Sequence, residues 1–296
     1  MNWWRNLKGK FRLAEPLKNH TTFKIGGPAK FFLEPKDPND LKLLLNLVKR
    51  YNLPIFLIGR GSNLLISDKG INGVVLRLNA PWFNKLSYKD NYLNVGSGVS
   101  LSKLVLFAKD HNLSGAEFLA GIPGTVGGAV AMNAGIAKDN RSIQDLVENV
   151  TVMDYSGNIK VLNKKDIRFR YRTSSLSRYI ILSVLIKLKR KNREQIRDKI
   201  KAYLKYRKLT QDLSKPSAGC IFRNPTGHSA GRLIDLCGLK GKRIGDAGVS
   251  LKHANFILNL GKGSARDVCK LMDLIREKVK NKFNINLIPE VKIWQN

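Results

Sequence analysis

The stretch Gly121-Ile-Pro-Gly-Thr-Val-Gly-Gly-Ala-Val-Ala-Met-Asn-Ala-Gly135 holds five glycines in fifteen residues. Glycines let the backbone approach another group closely, and N–H groups left unpaired by such turns form a concave anion site. The run therefore favours binding of a phosphate or pyrophosphate. It is not a Walker loop, because no Lys-Ser/Thr follows, and its Gly-x-x-Gly-x-x-Gly-Gly spacing is not the dinucleotide fingerprint. The alternative is a tightly packed turn that starts a Gly-rich helix.

Composition indicates a globular protein with a substantial core. The chain has 296 residues, of which 43% are hydrophobic and 25% charged, enough for two or three domains. No apolar run approaches the roughly 20 residues that span a bilayer, and the first residues lack the apolar stretch of a signal peptide. Cys220, Cys237 and Cys269 are too few and too widely spaced for a zinc site or a disulfide framework. We expect a reduced, cytoplasmic protein without a metal.

The formal net charge of +31 raises nucleic acid as a partner. The densest region, residues 187–208, holds eleven Lys and Arg residues, but basic residues are spread along the whole chain. A lysine-rich source proteome and an anionic substrate explain the charge about as well. We therefore expect a small-molecule substrate, no nucleic acid, no membrane and a monomer, with a basic nucleic-acid-binding protein as the minor alternative.

The chain divides into three predicted segments, 1–78, 79–191 and 192–296. The first has a helix over 37–52, followed by a buried strand and turn from Pro54. The second has a helix over 100–112, the glycine run, and strands at 150–154, 159–162 and 180–188. The third opens on a basic helix that reaches about residue 208. It continues with helices over 230–237 and 264–283 and strands over 256–259 and 287–294. This mixture predicts an α+β fold.

Six motifs occur in an order and spacing that is specific as a set. They are Asn19-His-Thr-Thr-Phe-Lys-Ile-Gly-Gly-Pro-Ala, Ile58-Gly-Arg-Gly-Ser-Asn-Leu-Leu, Gly121-Ile-Pro-Gly-Thr-Val-Gly-Gly, Phe169-Arg-Tyr-Arg-Thr-Ser, Ser217-Ala-Gly-Cys-Ile-Phe-Arg-Asn-Pro and Pro289-Glu-Val. Over nearly the whole chain, they resemble the UDP-N-acetylenolpyruvoylglucosamine reductase family, flavoenzymes of peptidoglycan precursor synthesis.

The resemblance implies a fold and a reaction. The fold is the two-part FAD-binding fold of the vanillyl-alcohol oxidase and p-cresol methylhydroxylase type, followed by a C-terminal α+β substrate domain. The first two segments are then FAD-binding subdomains and the third binds substrate. The reaction uses NADPH and FAD to reduce the enolpyruvyl ether of UDP-N-acetylglucosamine to UDP-N-acetylmuramate.

Two loops match the family's flavin-contacting loops. The residues that the resemblance assigns to cofactor binding are Ile58, Gly59, Arg60, Gly61, Ser62, Asn63 and Leu64 in the first loop, and Pro123, Gly124, Thr125, Gly127 and Gly128 in the second. Small residues bring backbone donors close to a diphosphate, and Arg60 can add charge. A plain Gly/Ser/Asn turn is the alternative for the first loop.

Three side chains match the family's catalytic positions: Arg172, Cys220 and Glu290. The fork of Arg172 suits a substrate carboxylate, and in a strand Arg168 and Arg170 would share its face. A carboxyl at Glu290, beside a substrate carboxylate, would have a raised pKa and could act protonated. The alternatives are a surface arginine and an acid at a strand edge.

The proton donor departs from the family's commonest pattern. Cys220 stands where the family usually has Ser, and a free thiol, with a pKa of about 8.5, is far more acidic than a hydroxyl. Alternatively, Cys220 is a buried packing residue, and Ser217 or a water supplies the proton. Asn224 matches an amide that contacts the substrate, and the short stretch from Arg172 to Cys220 indicates the subtype without an inserted loop. Tyr155, Tyr171 and Tyr203 are candidates to cover the uridine.

A second enzyme class is an alternative. An FAD-dependent oxidase or dehydrogenase of a small alcohol could use the same scaffold, but such enzymes commonly tether flavin through His or Cys. The four histidines, His20, His111, His228 and His253, stand in no such context.

Overall fold

The computed structural model of the chain describes residues 3–295; residues 1, 2 and 296, which belong to the first and third predicted segments, lie outside the described residues. The helices of the described part are α1 (Pro38–Arg50), α2 (Leu101–Asp110), α3 (Val126–Ala131), α4 (Arg193–Thr210), α5 (Ala230–Leu236) and α6 (Ala265–Phe283). The strands are β1 (Lys10–Pro16), β2 (Pro28–Glu34), β3 (Ile55–Ile58), β4 (Leu64–Ile66), β5 (Ile71–Arg77), β6 (Leu86–Lys89), β7 (Tyr92–Gly96), β8 (Leu113–Ser114), β9 (Gly135–Ile136), β10 (Arg141–Ser142), β11 (Val147–Asp154), β12 (Ile159–Asn163), β13 (Phe169–Arg170), β14 (Thr173–Ser174), β15 (Tyr179–Lys187), β16 (Lys189–Arg190), β17 (Ser217–Cys220), β18 (Arg243–Ile244), β19 (Ala247–Val249), β20 (Phe256–Asn259) and β21 (Lys292–Trp294).

The chain folds into two compact units, each built from separate stretches. Unit 1 comprises Met1–Leu13, Phe31–Gly59 and Gly73–Tyr206, and unit 2 comprises Ala14–Lys30, Arg60–Asn72 and Arg207–Asn296. The chain leaves unit 1 inside β1 and re-enters it inside β2. The division of the sequence at residues 78 and 191 stays a prediction.

The largest sheet of unit 1 is antiparallel, in the order β12-β11-β15-β7-β6. Its central strand, β15, reads Tyr-Ile-Ile-Leu-Ser-Val-Leu-Ile-Lys, a nearly continuous apolar run that suits a strand buried on both faces. The core on one side joins this sheet to α2 and α3, and includes Val150, Val184 and Leu104, all fully buried.

A second apolar cluster of unit 1 surrounds α1. Asp37 caps this helix by accepting a hydrogen bond from the Asp40 N–H at 3.0 Å, and Pro38 occupies the first turn, where no N–H partner is needed. The inward face of α1 packs against β5, which pairs in parallel with β3. Strand β3 ends at Ile58, directly before the first glycine loop.

Unit 2 is built on a four-stranded sheet, in the order β17-β20-β19-β18, against which α6 packs. Ser264 and Asp267 form a capping box that starts α6, and Asn284, in the left-handed conformation, ends it. The buried face of α6 includes Val268, Leu271 and Ile275, which join the unit's core. A separate parallel pair, β4 with β21, places Leu64 beside Lys292.

Most predicted elements are confirmed, with the helices α1, α2, α4, α5 and α6 ending within a few residues of their predicted bounds. The predicted strand over 287–294 was too long, because only Lys292–Trp294 pairs as a strand. Pro289 has no N–H for a ladder, and Leu287 is buried in the core of unit 2. The stretch between Arg172 and Cys220 is filled by β14–β17 and α4, as the loop-lacking pattern predicts.

None of the helices in the described part of the chain combines the length and apolar character needed to cross a bilayer.

Candidate active site and cofactor loops

Gly59, at the start of the first predicted cofactor loop, contacts the second loop within unit 1. A Cβ added to Gly59 would lie 2.8 Å from Oγ1 of Thr125, so only glycine fits at this approach. The same Thr125 hydroxyl caps α3 by accepting the Gly128 N–H at 3.2 Å. Glycine at 59 is therefore required by the cap of the second loop.

The neighbouring glycines 127 and 128 face opposite environments. A Cβ at Gly127 would stand 2.9 Å from Cβ of Ser97, and the Gly127 N–H donates to the Ser97 carbonyl at 2.9 Å. A Cβ at Gly128 would meet only Oγ1 of Thr125, at 3.4 Å, and Gly128 is exposed. Beside Gly127, Oγ of Ser97 is buried without a hydrogen-bond partner among the described residues.

The rest of the first loop belongs to unit 2. Gly61 has a φ of +60°, and an added Cβ would lie 2.2 Å from the His20 carbonyl oxygen. The loop thus packs on the Asn19–Ala29 motif, and Thr22 donates through Oγ1 to the Ser217 carbonyl at 2.8 Å. Three of the sequence motifs therefore contact one another within this unit.

Cys220 ends β17 and is half-buried. The pairing of β17 with β20 shifts register between Ser217 and Cys220, and Gly219 in this interval has a φ of +76°, which favours glycine. This irregularity sets the side of the strand on which the thiol lies.

Glu290 lies next to the Cys220 segment in the backbone network. Its N–H donates to the Ile221 carbonyl at 2.7 Å, and its own carbonyl accepts from Nδ2 of Asn63 at 3.1 Å. The Lys292 N–H donates to the Asn63 carbonyl at 2.9 Å. The structure thus joins Asn63 of the first loop, Glu290 and Ile221, the residue after Cys220, into one hydrogen-bonded set in unit 2.

Asn224 is exposed, and one end of its side-chain amide is hydrogen-bonded within the fold. Its Oδ1 accepts the Ala230 N–H at 3.0 Å, just before α5. The Nδ2 end remains the donor that a substrate oxygen could use.

Arg172 belongs to unit 1 and lies in a turn, which corrects the expectation of a strand with Arg168, Arg170 and Arg172 on one face. Arg170 pairs with Thr173, so Tyr171 and Arg172 form a two-residue hairpin loop, and Arg172 has a φ of +57°. The period of two that holds in a strand does not apply there. The Arg172 guanidinium donates through Nη1 to the Gly135 carbonyl at 3.2 Å.

Asn133, inside the glycine run, supports this hairpin and was missed by the sequence reasoning. It is 5% exposed, and its Nδ2 donates to the Arg170 carbonyl at 3.1 Å. Ser174 adds a hydrogen bond from Oγ to the Ala131 carbonyl at 2.9 Å. The glycine run thus positions the Arg172 turn, and the only sequence signal was an Asn among small residues.

Arg207 is a second residue that the sequence reasoning missed. It is 9% exposed, its Nε donates to Oε1 of Gln211 at 2.9 Å, and Nη1 is buried without a hydrogen-bond partner in the described structure. Burial lowers the pKa of the Arg207 guanidinium, and its electrostatic interaction with Cys220 opposes that shift. It is one of the eleven Lys and Arg residues of 187–208, and nothing in the sequence distinguished it from the other ten.

The three tyrosine candidates lie in unit 1 in different settings. Tyr155 is in the hairpin turn after β11, and Tyr171 shares the turn with Arg172. The Tyr203 hydroxyl donates to Oδ2 of Asp139 at 2.5 Å, and burial and this carboxylate raise the pKa of Tyr203 to about 12. Tyr203 is therefore engaged within its own unit.

Comparison with known proteins gives the family. The sequence model of the UDP-N-acetylenolpyruvoylglucosamine reductase C-terminal domain matches residues 211–294, and that of an FAD binding domain matches residues 29–163. A UDP-N-acetylenolpyruvoylglucosamine reductase of Symbiobacterium thermophilum is 43% identical over 97% of this chain and 92% of its own length. The chain belongs to the UDP-N-acetylenolpyruvoylglucosamine reductase family. The Bacillus subtilis reductase is 41% identical over 96% of this chain and 94% of its own.

Solved structures agree with the predicted fold. The reductase of Thermus caldophilus superposes with a TM-score of 0.82 at 37% identity, covering 98% of this chain and all of that chain. A solvent-stable cholesterol oxidase shares the fold at 16% identity and a TM-score of 0.50, over 63% of this chain and 39% of its own. The predicted FAD-binding fold followed by a C-terminal α+β domain is thus confirmed.

Glycines 127 and 128 give a matched pair of variants. We expect Gly127→Ala to lower the melting temperature, because its methyl group collides with Ser97, and overpacking costs about 1–3 kcal/mol. Gly128→Ala should keep or raise the melting temperature, because alanine favours a helix by about 1 kcal/mol over glycine. Flavin titration should show weaker binding in Gly128→Ala, whose methyl group lies on the open side. Equal melting temperatures, or unchanged flavin affinity in Gly128→Ala, would contradict this account.

His253 gives a pH dependence of stability. Burial lowers its pKa below the ordinary 6.5, and its Nδ1 accepts the Asn255 N–H at 3.2 Å. Because the unfolded chain takes up the proton first, stability is complete above pH 6.5 and is lost as the pH falls through the folded-state value. As the pH is lowered from 8 to 5, the melting temperature should therefore decrease less steeply for His253→Gln than for the parent. The exposed His228→Gln serves as control and should follow the parent.

Proposed function

We propose that the chain reduces the enolpyruvyl ether of UDP-N-acetylglucosamine to UDP-N-acetylmuramate with NADPH, as its family's name and motifs imply. The observation that carries this function is the hydrogen bond from the Glu290 N–H to the Ile221 carbonyl. It holds the backbone of Glu290, which bears the carboxyl, against the backbone of Ile221, the residue that follows Cys220 and its thiol.

The residues of the two loops fit a flavin dinucleotide. Gly128 presents an open side without a side chain, Ser97 keeps a buried hydroxyl beside the loop, and the Arg60 side chain is exposed. We propose that residues 58–64 together with Pro123, Gly124, Thr125, Gly127 and Gly128 hold FAD. Bound there and reduced by NADPH, the flavin would supply the hydride that the terminal carbon of the enolpyruvyl group takes up.

The remaining chemistry belongs to side chains of the chain. Addition of a hydride to the terminal carbon leaves negative charge on the neighbouring carbon and on the carboxylate. The Cys220 thiol gives its proton to that carbon, so the double bond takes up one hydride and one proton. Glu290, in its protonated form, donates to the substrate carboxylate and holds the developing charge.

Arg172 binds the substrate carboxylate in this proposal. Its planar guanidinium makes two parallel hydrogen bonds with a carboxylate, which a lysine cannot copy. The hairpin loop holds Arg172 in a left-handed conformation that few residues other than glycine adopt, and such strain is common at functional sites. Asn224 contributes Nδ2 to the diphosphate of the nucleotide.

We further propose a cytoplasmic monomer whose partner is the UDP-sugar alone. An anionic nucleotide substrate gives the basic surface a role in attracting ligand. The minor alternative, a nucleic-acid-binding protein, would bind duplex or single strands in a salt-dependent manner. Purified protein that carries releasable flavin and fails to bind nucleic acid at 150 mM salt, on the order of physiological ionic strength, would favour the enzyme.

The direct test of the function separates the two half-reactions. The enzyme is reduced anaerobically with NADPH, and the enolpyruvyl nucleotide is then added while flavin absorbance is followed by stopped flow. We expect rapid reoxidation by this nucleotide and none by UDP-N-acetylglucosamine. No reoxidation by the enolpyruvyl nucleotide would contradict the proposed function.

Variants of the three catalytic positions should affect only the second half-reaction. We expect Cys220→Ala, Glu290→Gln and Arg172→Lys to slow reoxidation by about 10²-fold or more, the size expected of general acids and charge-stabilising groups. Reduction by NADPH should stay close to the parent rate. Equal slowing of both halves would indicate misfolding or flavin loss, and a parent-like Cys220→Ala would move the donor role to Ser217, Glu290 or water.

Cys220→Ser provides the conservative control. We expect it to keep substantial activity, because a hydroxyl can donate at the same position, and to lose sensitivity to iodoacetamide. Continued inactivation of Cys220→Ser by iodoacetamide would place the sensitive thiol at Cys237 or Cys269.

A further inference from the structure

Asn255 binds the backbone two residues beyond Cys220. It is 3% exposed and precedes β20. The Phe222 N–H donates to Oδ1 of Asn255 at 2.9 Å, and Nδ2 of Asn255 donates to the Phe222 carbonyl at 2.8 Å. The Asn255 carbonyl also accepts the Ile221 N–H at 2.9 Å. The side-chain amide thus does what a peptide group of a neighbouring strand would do.

The opposite edge of the same segment carries the Glu290 stretch. The Ile221 carbonyl accepts the Glu290 N–H at 2.7 Å, and the Arg223 N–H donates to the Ile288 carbonyl at 2.9 Å. Phe222 and Pro289 face each other as bridge partners. Residues 221–223 are therefore held between Asn255 on one edge and residues 288–290 on the other.

This arrangement makes Asn255 more than a buried polar group. Cys220 is bonded covalently to Ile221, and Glu290 is hydrogen-bonded to Ile221, so the position of the thiol relative to the Glu290 backbone depends on the 221–223 segment. Without the Asn255 side chain, the Phe222 N–H and carbonyl would lose their partners, and a buried unsatisfied group is costly. The segment would then shift to find water or another partner.

We propose that Asn255 is a positioning residue for the reaction, which fixes the thiol of Cys220 relative to Glu290 through the backbone of residues 221–223. This inference rests on the proposed function, in which Cys220 gives the proton. Misplacement of a reacting group by about 1 Å can cost a rate factor on the order of 10². Asn255 contacts neither reacting atom in this scheme.

Asn259, the last residue of β20, supplies a matched control. It is 4% exposed, its Nδ2 donates to the Phe23 carbonyl at 3.1 Å, and its Oδ1 accepts the Gly261 and Gly263 N–H groups at 3.2 and 2.9 Å. It therefore makes the same kinds of hydrogen bond as Asn255, in the same unit, at the other end of β20. None of its side-chain hydrogen bonds reaches residues 220–223.

The first comparison is between Asn255→Asp and Asn259→Asp in the flavin-loaded enzyme. An ionised carboxylate at position 255 still accepts the Phe222 N–H but repels the Phe222 carbonyl, whereas the protonated carboxyl can donate to it. Burial raises the pKa of a carboxyl. His253, the titratable side chain hydrogen-bonded to Asn255, has a pKa below 6.5 and stays largely neutral above that pH.

We expect Asn255→Asp to slow flavin reoxidation by about 10-fold or more at pH 8.5, with the ratio to the parent rate recovering toward pH 6.5. Reduction by NADPH should stay within about 2-fold of the parent, a change too small to count against a tenfold effect. Asn259→Asp should lower the melting temperature about as much as Asn255→Asp does, but it should keep the parent reoxidation rate. Asn255→Gln, which misplaces the amide without a charge, should be slow at every pH and show no recovery.

A thiol readout makes the test independent of turnover. In a background with Cys237→Ser and Cys269→Ser, Cys220 is the only remaining thiol, and its alkylation by iodoacetamide can be timed with and without flavin. We expect the alkylation rate to change at least about 3-fold in Asn255→Asp and Asn255→Gln, a shift of roughly 0.65 kcal/mol, and to stay at the background rate in Asn259→Asp.

The outcomes separate the two claims. Reoxidation and alkylation at parent rates in both Asn255 variants would overturn the positioning role, as would equal effects of the Asn255 and Asn259 substitutions. A parent-like Cys220→Ala would instead overturn the proton-donor role, and the alkylation comparison would then decide the positioning claim alone. If Asn255→Asp does not fold, Asn255→Gln gives the same decision.

Discussion

The segment from Cys220 to Arg223 is held by hydrogen bonds on both edges, and the arrangement of groups in unit 2 depends on it. The Ile221 carbonyl accepts a hydrogen bond from the Glu290 N–H. The Phe222 N–H donates to Oδ1 of Asn255, and the Phe222 carbonyl accepts from Nδ2 of the same side chain. Asn63 of the first loop donates a hydrogen bond from Nδ2 to the Glu290 carbonyl. A short piece of backbone therefore links the thiol, the carboxyl and a residue of the cofactor loop.

In unit 1 the glycine run has a comparable role. Thr125 caps α3 while lying against Gly59, and Asn133 and Ala131 hold the hairpin that carries Arg172. The run thus also positions the turn that carries Arg172. The run is close-packed at Gly127, against Ser97, and open at Gly128. Glycine is therefore required by packing at position 127 but not at position 128.

The sequence allowed the helices, the main strands and the two loops to be predicted, because these follow from apolar periodicity, caps and clusters of small residues. It did not place Arg172 in a turn, since a two-residue hairpin with a left-handed Arg leaves no pattern. Asn133, Arg207 and Asn255 were also invisible, because a buried polar residue is recognised only by the partners that the fold brings to it. The strand predicted from Leu287 failed at Pro289, a residue whose effect could have been read from the sequence.

Cys220, the proposed proton donor, offers the most direct measurement. A thiol can donate only while protonated, whereas a serine hydroxyl does not ionise in the accessible range. The rate of flavin reoxidation by the enolpyruvyl nucleotide should be measured against pH for the parent and for Cys220→Ser. The account predicts that the parent rate falls through one additional ionisation as the pH rises and that Cys220→Ser lacks this step. Parallel profiles for the two enzymes would contradict the claim that Cys220 supplies the proton.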